Sequence, residues 1–133
     1  MKHRLIAIAA DVATVLGFVV LGRSSHDEGN GLASILGVAA PFLIGLAAGW
    51  LLAPTPRARP FAVRAGVQLW AATVVIGVVL RWFAWDRGTA LSFVIVAAVF
   101  LGLFLVGWRV VVTGATRPRR AVRSSRPPLE AER

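Results

Sequence analysis

The chain has no cysteine, no tyrosine, one lysine and one methionine, and its 133 residues include only six acidic ones. Without cysteine there is no disulfide, no thiolate metal site, no iron–sulfur cluster and no thiol nucleophile, and redox compartment leaves no mark on the sequence. Of the two histidines, His3 precedes the first apolar run and His26 follows it. They are expected on opposite faces of a membrane, which excludes two-histidine ligation of one haem. No H-E-x-x-H helix, phosphate-binding glycine loop or Ser-His-Asp arrangement is present. Catalysis, a cofactor and a resident metal are therefore not expected.

What is abundant is apolar: 57% of the residues are hydrophobic before glycine is counted. A water-soluble domain of this size buries only about two thirds of its unfolded surface, so lipid is the expected solvent. Four apolar runs, 5–22, 32–53, 65–83 and 91–112, are each roughly 18 to 22 residues long. At about 1.5 Å per residue each crosses a hydrocarbon core of about 30 Å with a little tilt or snorkelling. The expected fold is all-α, an integral membrane four-helix bundle over residues 1–113, followed by a basic cytoplasmic tail over 114–133. The first run is not read as a cleaved signal peptide, because Asp11 interrupts it and no small-x-small site follows before Arg23.

The net charge of +9 would suggest nucleic acid on a soluble protein, but here the charges sit at helix ends and no nucleic-acid partner is expected. Lys2 and Arg4 precede the first helix, Arg57, Arg59 and Arg64 fill the second connection, and Arg109 to Arg133 close the chain. Opposite them stand Arg23, Arg81 and Arg87 with Asp27, Glu28 and Asp86. The positive-inside rule then puts both termini in the cytoplasm, and the Ala, Val, Gly and Arg bias with a single lysine looks like GC-rich bacterial coding, so a bacterial plasma membrane is expected. Trp50 and Trp108, and Trp82 and Trp85, fall where interfacial anchors belong, while Trp70 lies deeper. The connection Pro54–Pro60, with three prolines, is read as a stiff loop. The tail, with Arg117, Arg119, Arg120, Arg123 and Arg126, has almost nothing apolar to bury; it is expected to be disordered and to contact anionic lipid headgroups.

Three constellations stand out. Gly37, Pro41, Gly45 and Gly49 form one stripe on the second helix, suited to close packing within the bundle and, alternatively, to a dimer seam. Asp11 sits about 9 Å inside the first span, where a carboxylate costs about 2.5 to 3.5 kcal/mol on insertion scales. Arg109, near the same boundary on the fourth helix, is its expected ion-pair partner, shared with Arg64; the alternative is a proton or substrate site. If the pair is structural, exchanging the two residues should restore what either single change loses. On the other side, Arg23, His26, Asp27, Glu28, Arg81 and Asp86 form a polar cluster. Consecutive residues rarely converge on one metal, so it is read as solvated ion pairs or a lipid-phosphate contact.

In order along the chain, Asp11, Gly22-Arg23 with His26, Pro41-Phe42 with Gly45, Arg81, Ser92-Phe93 and Gly107-Trp108-Arg109 resemble a known pattern. It is that of the small four-helix prokaryotic membrane proteins of unknown function of the DUF3054 type. The resemblance covers roughly the first 113 residues. It implies that Asp11, Arg23, His26 and Arg109 occupy motif positions, and it implies no activity. The expected function is that of a small accessory or interaction subunit within a larger membrane complex. Two alternatives stand beside it: a small dimeric proton-coupled transporter using Asp11, and a lipid-modifying enzyme at the His26–Asp27 loop.

Overall fold

The structure is a computed structural model and describes residues 1–24, 31–84 and 90–116. Among these residues five helices follow one another: α1 (Lys2–Ser24), α2 (Leu32–Leu52), α3 (Pro54–Ala58), α4 (Val63–Ala84) and α5 (Leu91–Thr116). Among the described residues there is no strand. The four long helices have 23, 21, 22 and 26 residues, or about 32 to 39 Å at 1.5 Å per residue, and are long and apolar enough to cross a bilayer.

Helices α1, α4 and α5 overrun the expected spans by one to four residues at one end or both. The hydrophobic runs mark the hydrocarbon, whereas a helix continues until something breaks it. Nothing does so around Lys2 or between Val112 and Thr116. Segment 114–133 was expected to begin the tail, yet α5 persists to Thr116; residues 117–133, including the five lipid-directed arginines, lie outside the described residues.

The four long helices form a closed ring in which α1 touches α2 and α5, and α4 touches α2 and α5. Two of the stripe glycines make the α2–α4 contact close. A Cβ on Gly45 would lie 3.0 Å from the backbone of Ala72 and Thr73, and one on Gly49 would lie 3.0 Å from the Leu69 side chain. Pro41 is buried beside them, while Gly37 is only half-buried and faces open space. So the stripe serves packing inside the monomer from Pro41 to Gly49. Helix α4 returns the arrangement with its own glycines: Gly77 receives the ring of Phe42, and Gly66 receives α5 at Leu105 and Arg109. Helix α1 packs through Ala7, Val15, Phe18 and Val19, all buried. Phe18 meets the rings of Phe42, Phe93 and Phe100 at 5.4 to 6.1 Å, filling the half of the bundle away from α3. The outward faces stay apolar, as with Leu51, Val75, Val99 and Leu103, which suits lipid and not water.

The proline-rich connection corrects one expectation. Ala53 is extended (φ −78°, ψ 134°) and ends α2, but Pro54 then opens a five-residue helix. Pro54 and Pro56 both fall in its first turn, where amide hydrogens have no intrahelical acceptor, so neither ring costs a helical bond. Pro56 is buried, and the segment folds over one end of the bundle, hereafter the α3 end.

Candidate functional site

The apolar core is interrupted at the α3 end by one polar constellation. Asp11 on α1 and Arg109 on α5 are both fully buried and form a two-pronged ion pair. Nη1 of Arg109 donates to Oδ1 at 2.7 Å and Nη2 donates to Oδ2 at 2.8 Å. Two indoles complete the carboxylate. Trp50 of α2 donates its Nε1–H to Oδ2 at 3.1 Å, and Trp108 of α5 donates to Oδ1 at 3.2 Å. Each oxygen thus accepts two hydrogen bonds: Oδ1 from Arg109 and Trp108 of α5, and Oδ2 from Arg109 and from Trp50 of α2.

The guanidinium is satisfied from its other edge. Nε donates to the carbonyl of Pro60 at 2.9 Å, and Nη1 donates also to the carbonyl of Leu105 at 2.8 Å. Four of its five N–H groups are therefore committed. Its plane lies 4.4 Å from the Trp108 ring centre, a cation–π distance that gains strength where water is absent. The Pro60–Phe61 segment is held further: the Phe61 carbonyl accepts from Thr113 Oγ1 at 3.3 Å, and the Phe61 ring meets Trp108 and His3 edge-on at 5.8 and 5.7 Å.

Local sequence puts each group in place. Gly66 on α4 leaves room for the arginine stem: a Cβ there would sit 2.8 Å from the Leu105 carbonyl and 3.0 Å from Arg109 Cδ. Pro60 sits in the short linker between α3 and α4, where its carbonyl is not used by a helix. A buried pair is tolerable when its remaining donors and acceptors are met, and here they are met by two tryptophans and two backbone carbonyls.

Of the residues expected at this pair, the structure brings together Asp11 and Arg109 and leaves Arg64 exposed, outside the hydrogen-bonded set. The geometry explains why. Arg64 is the second residue of α4, and the carboxylate's acceptor positions are already occupied. Sequence reasoning missed Trp50 and Trp108, reading both as interfacial anchors; Trp50 is buried and Trp108 half-buried. Depth alone gave no signal, because an indole near a helix end can serve as an interfacial anchor or as a donor to a buried acid. Trp70 does pack, donating to the Ala98 carbonyl at 2.8 Å. At the opposite end, Arg81 is half-buried with its guanidinium 4.6 Å from the Phe93 ring centre. The rest of the cluster expected there, the Arg23 side chain with His26, Asp27, Glu28 and Asp86, lies outside the described residues.

The sequence profile of the family described as "Protein of unknown function (DUF3054)" matches residues 8–112. The chain belongs to the DUF3054 family. The match takes in both members of the ion pair, both indoles and the Pro60 carbonyl, so the whole constellation falls within this DUF3054 domain. No curated protein and no solved structure compared with the chain matches it.

Proposed function

We propose that this DUF3054 protein is a small multi-pass accessory subunit of the bacterial plasma membrane, which acts through its outward helix faces on a larger membrane complex. The α3 end faces the cytoplasm, a direction supported by Lys2, Arg4, Arg57, Arg59 and Arg64, all exposed there.

The observation that carries this reading is the closure of Asp11. A proton-coupling carboxylate must exchange its proton with water and trade partners during a cycle. This one is fully buried and accepts four hydrogen bonds, two of them from an arginine that cannot deprotonate. Protonating it would strip Arg109 of its counter-charge inside the bundle. That chemistry suits a structural lock, and a protein whose interior is locked has its outer surface left for function.

The competing reading, a dimeric proton-coupled transporter, is favoured by the position of this carboxylate in the first of four membrane-length helices. It requires the pair to open. The discriminating experiment is native mass spectrometry of the protein extracted gently from its own membrane, followed by co-purification from a strain carrying Asp11→Asn. A stoichiometric foreign subunit that can be reconstituted with the purified chain is the expected result. A homodimer without a partner, together with pH-driven substrate flux in proteoliposomes that Asp11→Asn abolishes, would replace the accessory reading with the transporter.

A further inference from the structure

Around the α3 end lies a set of cations that the ion pair does not use. Lys2 and Arg4 at the start of α1, Arg57 and Arg59 on and just after α3, and Arg64 at the start of α4 are all exposed. The fold gathers them from separate segments: the His3 ring rests edge-on against Phe61 at 5.7 Å, which brings the start of α1 beside the linker between Arg59 and Arg64. Arg57 is partly fixed, its Nε donating to the Ala53 carbonyl at 3.3 Å. Asp11 is the only carboxylate among the described residues, and Arg109 consumes it.

The second feature is what borders these cations. Leu51 and Leu52, 70% and 77% exposed, end α2 immediately before α3, and Leu5 follows Arg4 at 65% exposed. Val63 precedes Arg64 and is itself exposed. A soluble anion needs the arginines alone, and an acidic peptide has no use for aliphatic side chains at every margin of the charge. An amphiphile with an anionic head and acyl chains uses both: phosphate on the arginines, hydrocarbon along the leucines and valine beneath them.

We infer that Arg57, Arg59 and Arg64, with Lys2 and Arg4 at their flank, form a binding surface for anionic phospholipid headgroups, distinct from the arginines that follow α5. This surface needs neither the accessory reading nor the transporter reading. It stands on the juxtaposition, at one end of the bundle, of exposed aliphatics and cations for which the described residues hold no spare carboxylate.

The test is a lipid titration of the delipidated full chain in detergent, read by native mass spectrometry, comparing dioleoylphosphatidylglycerol with dioleoylphosphatidylcholine. The parent protein is expected to retain the anionic lipid preferentially. Arg57→Gln/Arg59→Gln/Arg64→Gln should weaken that preference by about fivefold per residue removed, or about a hundredfold in all. The same loss with an unchanged melting temperature separates it from misfolding; if the triple variant does not fold, the three single variants give the same reading in steps. A variant with Arg117, Arg119, Arg120, Arg123 and Arg126 all changed to Gln should keep most of the preference. Three results overturn the inference: no preference in the parent, a preference untouched by the α3-end changes, or a preference abolished by the 117–126 changes alone. Arginine-dependent binding of inorganic phosphate or poly-glutamate without any lipid preference would overturn it too, assigning the surface to free anions or an acidic chain.

Discussion

Replacing Asp11 with Asn removes the one negative charge from a pocket that keeps its cation. Asn retains a single carbonyl oxygen, so at least two of the four donors aimed at the carboxylate lose their acceptor. Breaking a buried pair by removing one partner typically costs about 3 to 5 kcal/mol, because the remaining charge is left uncompensated. Arg109 lies seven residues before the end of α5, about 10 Å along the axis, so its long side chain can recover part of that loss by reaching toward the boundary. The lower figure, about 3 kcal/mol, is therefore expected, or roughly 12 °C in melting temperature for a chain of this size. The assay is thermal unfolding of purified variants in one detergent, followed by tryptophan fluorescence and by retention of the monodisperse peak after heating. Arg109→Gln alone should lose a similar amount. In Asp11→Asn/Arg109→Gln the two amides can bond to each other and to the Pro60 carbonyl, so the double variant should lie at least about 2 kcal/mol above the sum of the singles. A single Asp11→Asn variant that melts within about 2 °C of the parent would refute the reasoning, as would strict additivity in the cycle. Exchange of the two residues, expected from the sequence to rescue, is a poorer test. It would point a guanidinium at the indole N–H groups of Trp50 and Trp108 and a carboxylate at the carbonyls of Pro60 and Leu105, and it should not restore stability.

Two further changes probe the packing around the pair. Gly66→Ala places a Cβ 2.8 Å from the Leu105 carbonyl, and because the contact is with backbone, α5 must move away; a loss of about 1 to 3 kcal/mol is expected. That loss should shrink in an Asp11→Asn background, where Arg109 is already displaced, and thermal unfolding of the four proteins measures it. Thr73→Val should act in the opposite direction. The Thr73 hydroxyl is buried and has no hydrogen-bond partner among the described residues, so removing it is expected to raise stability by about 1 kcal/mol, and a lower melting temperature for Thr73→Val would show that the hydroxyl is bonded.

The four long helices were legible because each apolar run is roughly 18 to 22 residues long, enough to cross the hydrocarbon core, and their pairing with lipid follows from composition alone. The ion pair was legible too, since depth along two helices is a one-dimensional quantity that the rise per residue converts directly into distance. What completes the pair was not. Trp50 and Trp108 stand at a depth where an indole serves equally as an interfacial anchor or as a donor to a buried acid, and depth says nothing of azimuth. The Pro60 carbonyl is backbone and carries no residue signature. Helix α3 was hidden by the ordinary reading of proline as a breaker, which fails in a first turn where no amide donor is needed. Gly66 and Gly77 gave no signal either, because a glycine seat is recognisable only when the side chain that fills it is known.

A polar lock of this kind answers a problem that lipid creates. Hydrocarbon solvates an apolar helix as well as another helix does, so packing alone sets only a shallow preference for how α1 lies against its neighbours. The aromatic layer around Phe18 joins α1 to rings of α2 and α5 without fixing its register. A slip of one residue along α1 would turn the group at position 11 by about 100°, carrying Asp11 from Arg109 toward lipid. The slipped register would lose four hydrogen bonds to the carboxylate and add the insertion cost of a charge, about 2.5 to 3.5 kcal/mol. One register is thereby selected from several that are otherwise close in energy. Because Arg109 also grips Pro60, the same contact that sets α1 fastens the α3 segment over the end of the bundle. The pair thus couples the first helix to the cationic surface without being part of it. Changes at Asp11 should then disturb lipid preference only indirectly, whereas changes at Arg59 should leave the melting temperature alone.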